Sequence, residues 1–160
     1  LGNMALDEHD YVAARAYLEE AVETHRRLAH QSDLANNLMD LGFIALSEAR
    51  LDEAEAILRE SLAISSAERF GDLLPWAVEG VAALVLGRGA PSESVRLLAA
   101  TTSSREELAM SADFYPIAEE TRELTLDAAR AELSEVEFAA AWEEGETLSL
   151  EEAAEQAARF

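Results

Sequence analysis

Apolar residues recur along most of the chain at the three-and-four spacing of a helix with one buried face. Tyr11, Ala14, Leu18, Ala21, Val22 and Leu28 follow it, which predicts a helix from Tyr11 to about Ala29. Ser32-Asp33 offers short side-chain oxygens that can accept from free amides, so the next helix is expected to be capped there. It should run to about Ala49, with Leu38, Leu41, Ile44 and Ala45 on one face. A third helix, about Leu51 to Glu68, places Ala54, Ile57, Leu58 and Leu62 inside. Phe70-Gly71-Asp72 closes it, and Gly71 suits a left-handed helix end. Pro75 stands where a first turn accepts proline; Trp76 to Leu86 continues that helix, and Gly87-Arg88-Gly89 breaks it. Pro91 opens a partner helix with Val95, Leu97 and Leu98 inside. After Met110 the pattern changes. Ser111 to Pro116 reads as a loop or cap, and a helix of about Ile117 to Leu133 follows. Ser134-x-x-Glu137 and Ser149-x-x-Glu152 are capping boxes, each opening a short helix, and Gly145 is expected to end the first. No strand pattern occurs.

These segments repeat. An offset of 40 lays Leu1-Gly2 on Leu41-Gly42, Ala5-Leu6 on Ala45-Leu46, Ala14 on Ala54 and Leu18 on Leu58. In the third unit Leu97-Leu98 match Ile57-Leu58. The matches are mostly small or apolar residues, which are the ones that pack. A period in this range marks a solenoid, whose units bury their apolar faces against each other. The expected fold is all-α: a right-handed superhelical solenoid of antiparallel helix pairs. Residues 1–110 would form the repeats and 111–160 a helical C-terminal cap of the same domain. Leu1 to Leu6 aligns with a helix interior, so the chain is expected to be a piece of something larger.

Charge narrows the partners. The net charge is −21, from 12 basic residues, all Arg, against 33 acidic ones. Nucleic-acid binding runs on cations that displace counterions from phosphates, and anionic lipid needs the same sign. Neither partner fits this balance. An apolar share of 49% argues against disorder. No apolar run approaches the ~20 residues that span a bilayer. The absence of cysteine removes disulfides and thiolate sites and fits a cytoplasmic location.

Leu41-Gly42-x-x-Ala45, then Leu51, Ala54, Leu58 and a small residue at Ser61, resembles a tetratricopeptide repeat. Leu1-Gly2-x-x-Ala5, Tyr11, Ala14, Leu18 and Ala21 show the same pattern. The usual period is about 34 residues, so these units are longer by about six. The tail, Phe138 to Gly145 followed by Leu148 to Ala153, is similar to the carboxyl end of large bacterial regulators. Those proteins, LuxR-type regulators and related ATPases among them, join effector and nucleotide-binding domains to C-terminal repeats. The resemblance implies a non-catalytic module that binds a protein or peptide and takes part in transcription regulation and signal transduction. An arm for self-association of the parent protein is the alternative.

By the same resemblance, first helices line a concave groove. The face opposite Leu38, Leu41 and Ala45 carries Asn36, Met39, Asp40 and Phe43. The third unit adds Trp76 and Glu79, and the first adds Asn3. This mix of apolar groups, amides and acids suits an extended or helical peptide with some positive charge. The competing expectation is that the C-terminal cap or a neighbouring domain covers Met39 and Phe43. For Trp76, core and groove both fit; Trp142, beside Phe138, reads as core.

No catalytic or cofactor constellation emerges. His25 and His30 stand five apart, about 500 degrees around a helix, so they do not share a face as a metal pair would. They read as surface histidines, and no metal or cofactor is implied. Gly87-x-Gly89 lacks a third glycine and a preceding strand, and no GK[ST] sequence exists. Adjacent glutamates such as Glu151-Glu152 diverge by about 100 degrees and read as solvated faces. The charge balance yields a direct expectation. Duplex DNA mixed with the chain at physiological salt should give no mobility shift, and a retarded band would contradict it.

Overall fold

The computed structural model describes residues 11–108 and 115–160, and all regular structure among them is helical. In chain order the helices are α1 (Tyr11–Leu28), α2 (Gln31–Ser47), α3 (Leu51–Ala67), α4 (Leu74–Gly87) and α5 (Pro91–Ala100). A short α6 (Thr102–Glu107) precedes α7 (Pro116–Glu132), α8 (Glu135–Glu146) and α9 (Leu150–Ala157). The N-terminal half-unit with Asn3, and most of the expected 111–116 loop, lie outside the described residues.

One turn geometry reverses the chain four times. Ala29, Ala49 and Arg69 take φ of 56°, and Gly89 takes 82°. The following N–H in each turn donates to the carbonyl five residues earlier. His30 bonds His25 at 3.0 Å, Arg50 bonds Ala45 at 2.9 Å, Phe70 bonds Ser65 at 2.9 Å and Ala90 bonds Val85 at 3.1 Å. The left-handed residue donates within the loop, as Ala49 does to Leu46 at 2.9 Å. This is a Schellman closure, which satisfies the last helical carbonyls with backbone amides. Positions 29, 49, 69 and 89 fall 20 apart, so the 40-residue period is two strokes of one helix-and-turn unit.

Two local expectations are corrected by this geometry. The left-handed residue of the third turn is Arg69, not Gly71, because the backbone reverses right after α3 and Gly71 already belongs to the path into α4. The second helix begins at Gln31 with His30 as its N-cap and no side-chain cap bond, so Ser32-Asp33 lies inside it. The reversal feeds directly into α2, and the His30 carbonyl already accepts from Leu34 N–H at 2.9 Å. The capping boxes at Ser134 and Ser149 are present as expected.

Successive helices α1 to α5 each pack on the next, and α2 also meets α4. The close approach depends on missing side chains. A Cβ at Gly42 would lie 2.3 Å from Leu58 Cδ2, and one at Gly80 2.8 Å from the same atom. Leu58 of α3 thus fills a notch opened by one glycine from α2 and one from α4. Ala14 and Ala54 are wholly buried. Buried hydroxyls fasten the pairs: Ser61 Oγ donates to Ala35 O at 2.8 Å, and Ser94 Oγ to Ala82 O at 2.7 Å.

The tail packs back on this stack. Helix α8 lies along α5, α7 lies against α2, α4 and α5, and α9 touches α3, α4 and α5. Gly145 does not end α8; it is a buried position within it. A Cβ there would sit 2.3 Å from Arg96 O, so its bare backbone is what lets α8 rest on α5.

Leucine in place of Ala54 should overpack the α3 contact and lower stability by about 1–3 kcal/mol. Urea or thermal unfolding of Ala54→Leu checks it, and an unchanged midpoint would show that the close contact is misplaced.

Candidate functional site

Of the proposed groove residues, Met39, Asp40, Phe43, Trp76 and Glu79 are all buried, and Asn36 is half-buried. Asn3 lies outside the described residues. An open groove lined by these side chains is therefore corrected. The reason lies in α7, which occupies the face of α2 and α4 where a peptide was expected. Ile117 and Ala118 join the cluster that holds Met39, Phe43 and Trp76. Every residue of α2 from Leu38 to Ala45 is buried, as suits a helix covered on both sides.

Tyr115, the N-cap of α7, plugs the centre. Its ring meets Phe43 edge-on at 5.6 Å and Trp76 edge-on at 5.2 Å, a favoured aromatic arrangement. Its hydroxyl donates to Asp40 Oδ1, while Asp40 Oδ2 is buried without a partner. Burial pushes the Asp40 carboxyl up to about 7, against the smaller opposing effect of the tyrosine hydrogen bond.

Three residues after Trp76 on α4, Glu79 anchors a denser network. Its Oε1 accepts from Arg122 Nη1 at 2.9 Å and Thr101 Oγ1 at 2.8 Å, and its Oε2 from Arg105 Nη1 at 3.0 Å. Arg122 also reaches the Leu98 carbonyl at 3.2 Å from Nη2. Arg105 bonds Glu119 and lies over the Trp76 ring at 5.5 Å. Burial still raises the Glu79 carboxyl above its ordinary range, although Arg122 and Arg105 pull it down. The charges balance, with Glu79 and Glu119 against two arginines. The network joins α4, α5, α6 and α7, so it pins the tail helix in the groove.

A residual cavity of about 830 Å³ remains beside α7, lined among others by Leu46, Leu86, Ile117 and Leu124. A second, of about 790 Å³, opens between α3 and α9 around Leu62, Leu74 and Ala154. Neither Asp40 nor Glu79 lines either one. Perturbed carboxylates often mark catalytic clefts, but these two are turned into packed contacts. Trp142 is half-buried and stacked on Phe138 at 6.0 Å, so the core reading holds only in part.

Sequence reasoning missed Tyr115, Arg105, Arg122 and Glu119 as members of this site. A helix over Ile117 to Leu133 was expected, but nothing local said that Arg122 turns inward. Comparison with family models, curated proteins and solved structures finds no match for this chain.

Asp40 binds its proton more tightly in the folded state, where its value rises from the ordinary 3.8 to about 7. Its stabilising effect is full below about pH 4 and is lost as pH rises towards 7, on the order of 4 kcal/mol in all. Asp40→Asn keeps an acceptor for Tyr115 and removes this titration. Urea unfolding should find the variant more stable than wild type at pH 8 and close to it at pH 4. Glu79 titrates in the same direction in both proteins, so their difference isolates Asp40. Equal stability at pH 8 would refute the assignment.

Proposed function

We propose that the chain is a tetratricopeptide-like module, a right-handed stack of antiparallel helix pairs with ~40-residue repeats. In this reading it is a non-catalytic, signal-receiving part of a larger bacterial transcriptional regulator and binds a protein or peptide. The observation that carries the reading is the seat of α7. An amphipathic helix lies in the face of α2, α4 and α5, anchored by Ile117, Ala118 and Arg122. That is the helix-in-groove mode by which such faces take partner helices. Here the chain's own segment fills the place, so a partner helix must displace α7 or use another surface. Support also comes from the 20-residue recurrence of the reversals, which fits paired repeats.

The test uses the chain with Arg122→Glu, which sets two carboxylates against each other and loosens α7. Wild type and variant are titrated with the remaining domains of the parent protein, and each is sedimented alone. If α7 competes with the partner, the variant should bind about tenfold more tightly, because the closed state no longer reduces apparent affinity. Dimers formed by the chain alone, with no binding to the parent, would favour the self-association arm. Monomers that bind nothing in either form would overturn both readings, provided circular dichroism shows the variant still helical.

A further inference from the structure

The reversal between α1 and α2 differs from the other three in what it brings face to face. A Schellman closure sets the residue two past the helix end against the residue whose carbonyl it bonds, usually as an apolar contact. The later pairs are Ala45 with Arg50, Ser65 with Phe70 and Val85 with Ala90. The first pair is His25 with His30, whose rings stand 5.8 Å apart. Counting degrees along a continuous helix separates these two, but α1 ends at Leu28 and Ala29 turns the backbone left-handed. The first turn of α2 then adds a carboxylate. Asp33 Oδ2 lies 3.7 Å from His25 Nδ1 and 3.9 Å from His30 Nδ1, too far for hydrogen bonds. One ligand atom from each of the three residues lies within 4.8 Å of the others. His25 Nδ1 is buried and has no hydrogen-bond partner.

We propose that His25, His30 and Asp33 bind a divalent transition-metal ion of the zinc class through two imidazole nitrogens and one carboxylate oxygen. Bonds of about 2.0–2.2 Å place the ligand atoms of a tetrahedral site about 3.4 Å apart. The two separations to Asp33, 3.7 and 3.9 Å, exceed that by a few tenths of an ångström, and the histidine atoms lie within 4.8 Å of each other. His30 and Asp33 have side chains 57% and 63% exposed, free enough to close the gap, while His25 is more enclosed and fixes the position. Imidazole selects zinc, nickel, copper or cobalt over magnesium and calcium, which prefer oxygen alone. Three protein ligands leave a fourth position, which water fills. The ion would satisfy the orphaned His25 nitrogen and tie the end of α1 to the start of α2. The strongly acidic chain, at −21, favours any cation, so the claim rests on dependence on these histidines.

The test uses the full chain stripped with a chelator, then titrated with ZnSO4 by calorimetry and with CoCl2 by visible absorption. One ion per chain is expected, with the intense cobalt bands of a four-coordinate site. His25→Ala and His30→Ala should each abolish that stoichiometric step, and Asp33→Asn should weaken it by roughly an order of magnitude. Zinc should raise the melting temperature of wild type and leave that of His25→Ala unchanged. The metal-free variants should match wild type in helical circular dichroism, which separates loss of the site from loss of the fold. Calcium binding, if seen, should be unchanged in all variants. Zinc binding that persists undiminished in the His25→Ala, His30→Ala double variant would overturn the proposal, as would failure of wild type to bind zinc.

Discussion

The C-terminal end of each of the first four helices is closed by the same backbone device, and the packing depends on it. A left-handed residue every 20 positions returns two amides to the carbonyls just left behind. The helix end is satisfied without side chains, so the next helix begins within two or three residues of most of these turns. Helices α1 to α3 accordingly have 18, 17 and 17 residues. Near-equal lengths and a shared turn geometry repeat the same contact from α1 to α3. Leu58 can meet a glycine on each neighbour only if both neighbours are set at one height. The buried serine hydroxyls of α3 and α5 reach carbonyls of the preceding helix for the same reason. Three of the four left-handed positions are not glycine, so the turn is imposed by the packing around it against a local preference.

Helix α7 exploits what that stack leaves open. Its insertion buries two carboxylates, and the two are handled differently. Glu79 has two arginines and a threonine, so its charge is compensated where it sits. Removing one partner from such a pair is costly, but the intact pair contributes little net energy because both ions lose water. Its effect is chiefly on register: a shift of α7 would strand Arg122 and Glu79 apart in a dry contact. Asp40 has one hydroxyl and an orphaned oxygen, which makes it the weaker of the two contacts. The tail is thus held firmly at the Glu79 end and less so at its N-terminal end, next to Tyr115.

The same architecture explains how chemistry can hide at a turn. In three reversals the facing pair is apolar or mixed, and in one it is two histidines. The backbone that brings them together is shared with turns that carry no such groups. Only the side chains at the facing positions distinguish them.

Read alone, the sequence determined the helices, their approximate ends, the period, the capping boxes and the small residues at close contacts. Those features are local, because they depend on spacing along one helix and on side chains within one turn. It also identified α2 as apolar on more than one side, through Met39 and Phe43 opposite Leu38 and Leu41. What it left open was the cover of that second face, since apolar spacing says that a face is buried and not against what. The answer came from Tyr115 and Arg122, more than 70 residues beyond Asp40 and more than 40 beyond Glu79 in the chain. Gly145 was misjudged for a related reason: a glycine that ends a helix and one that admits a neighbouring backbone look alike until the neighbour is placed. His25 and His30 were separated on paper by a helix that in three dimensions stops between them. Tertiary structure decided these points because each depends on where a distant backbone lies.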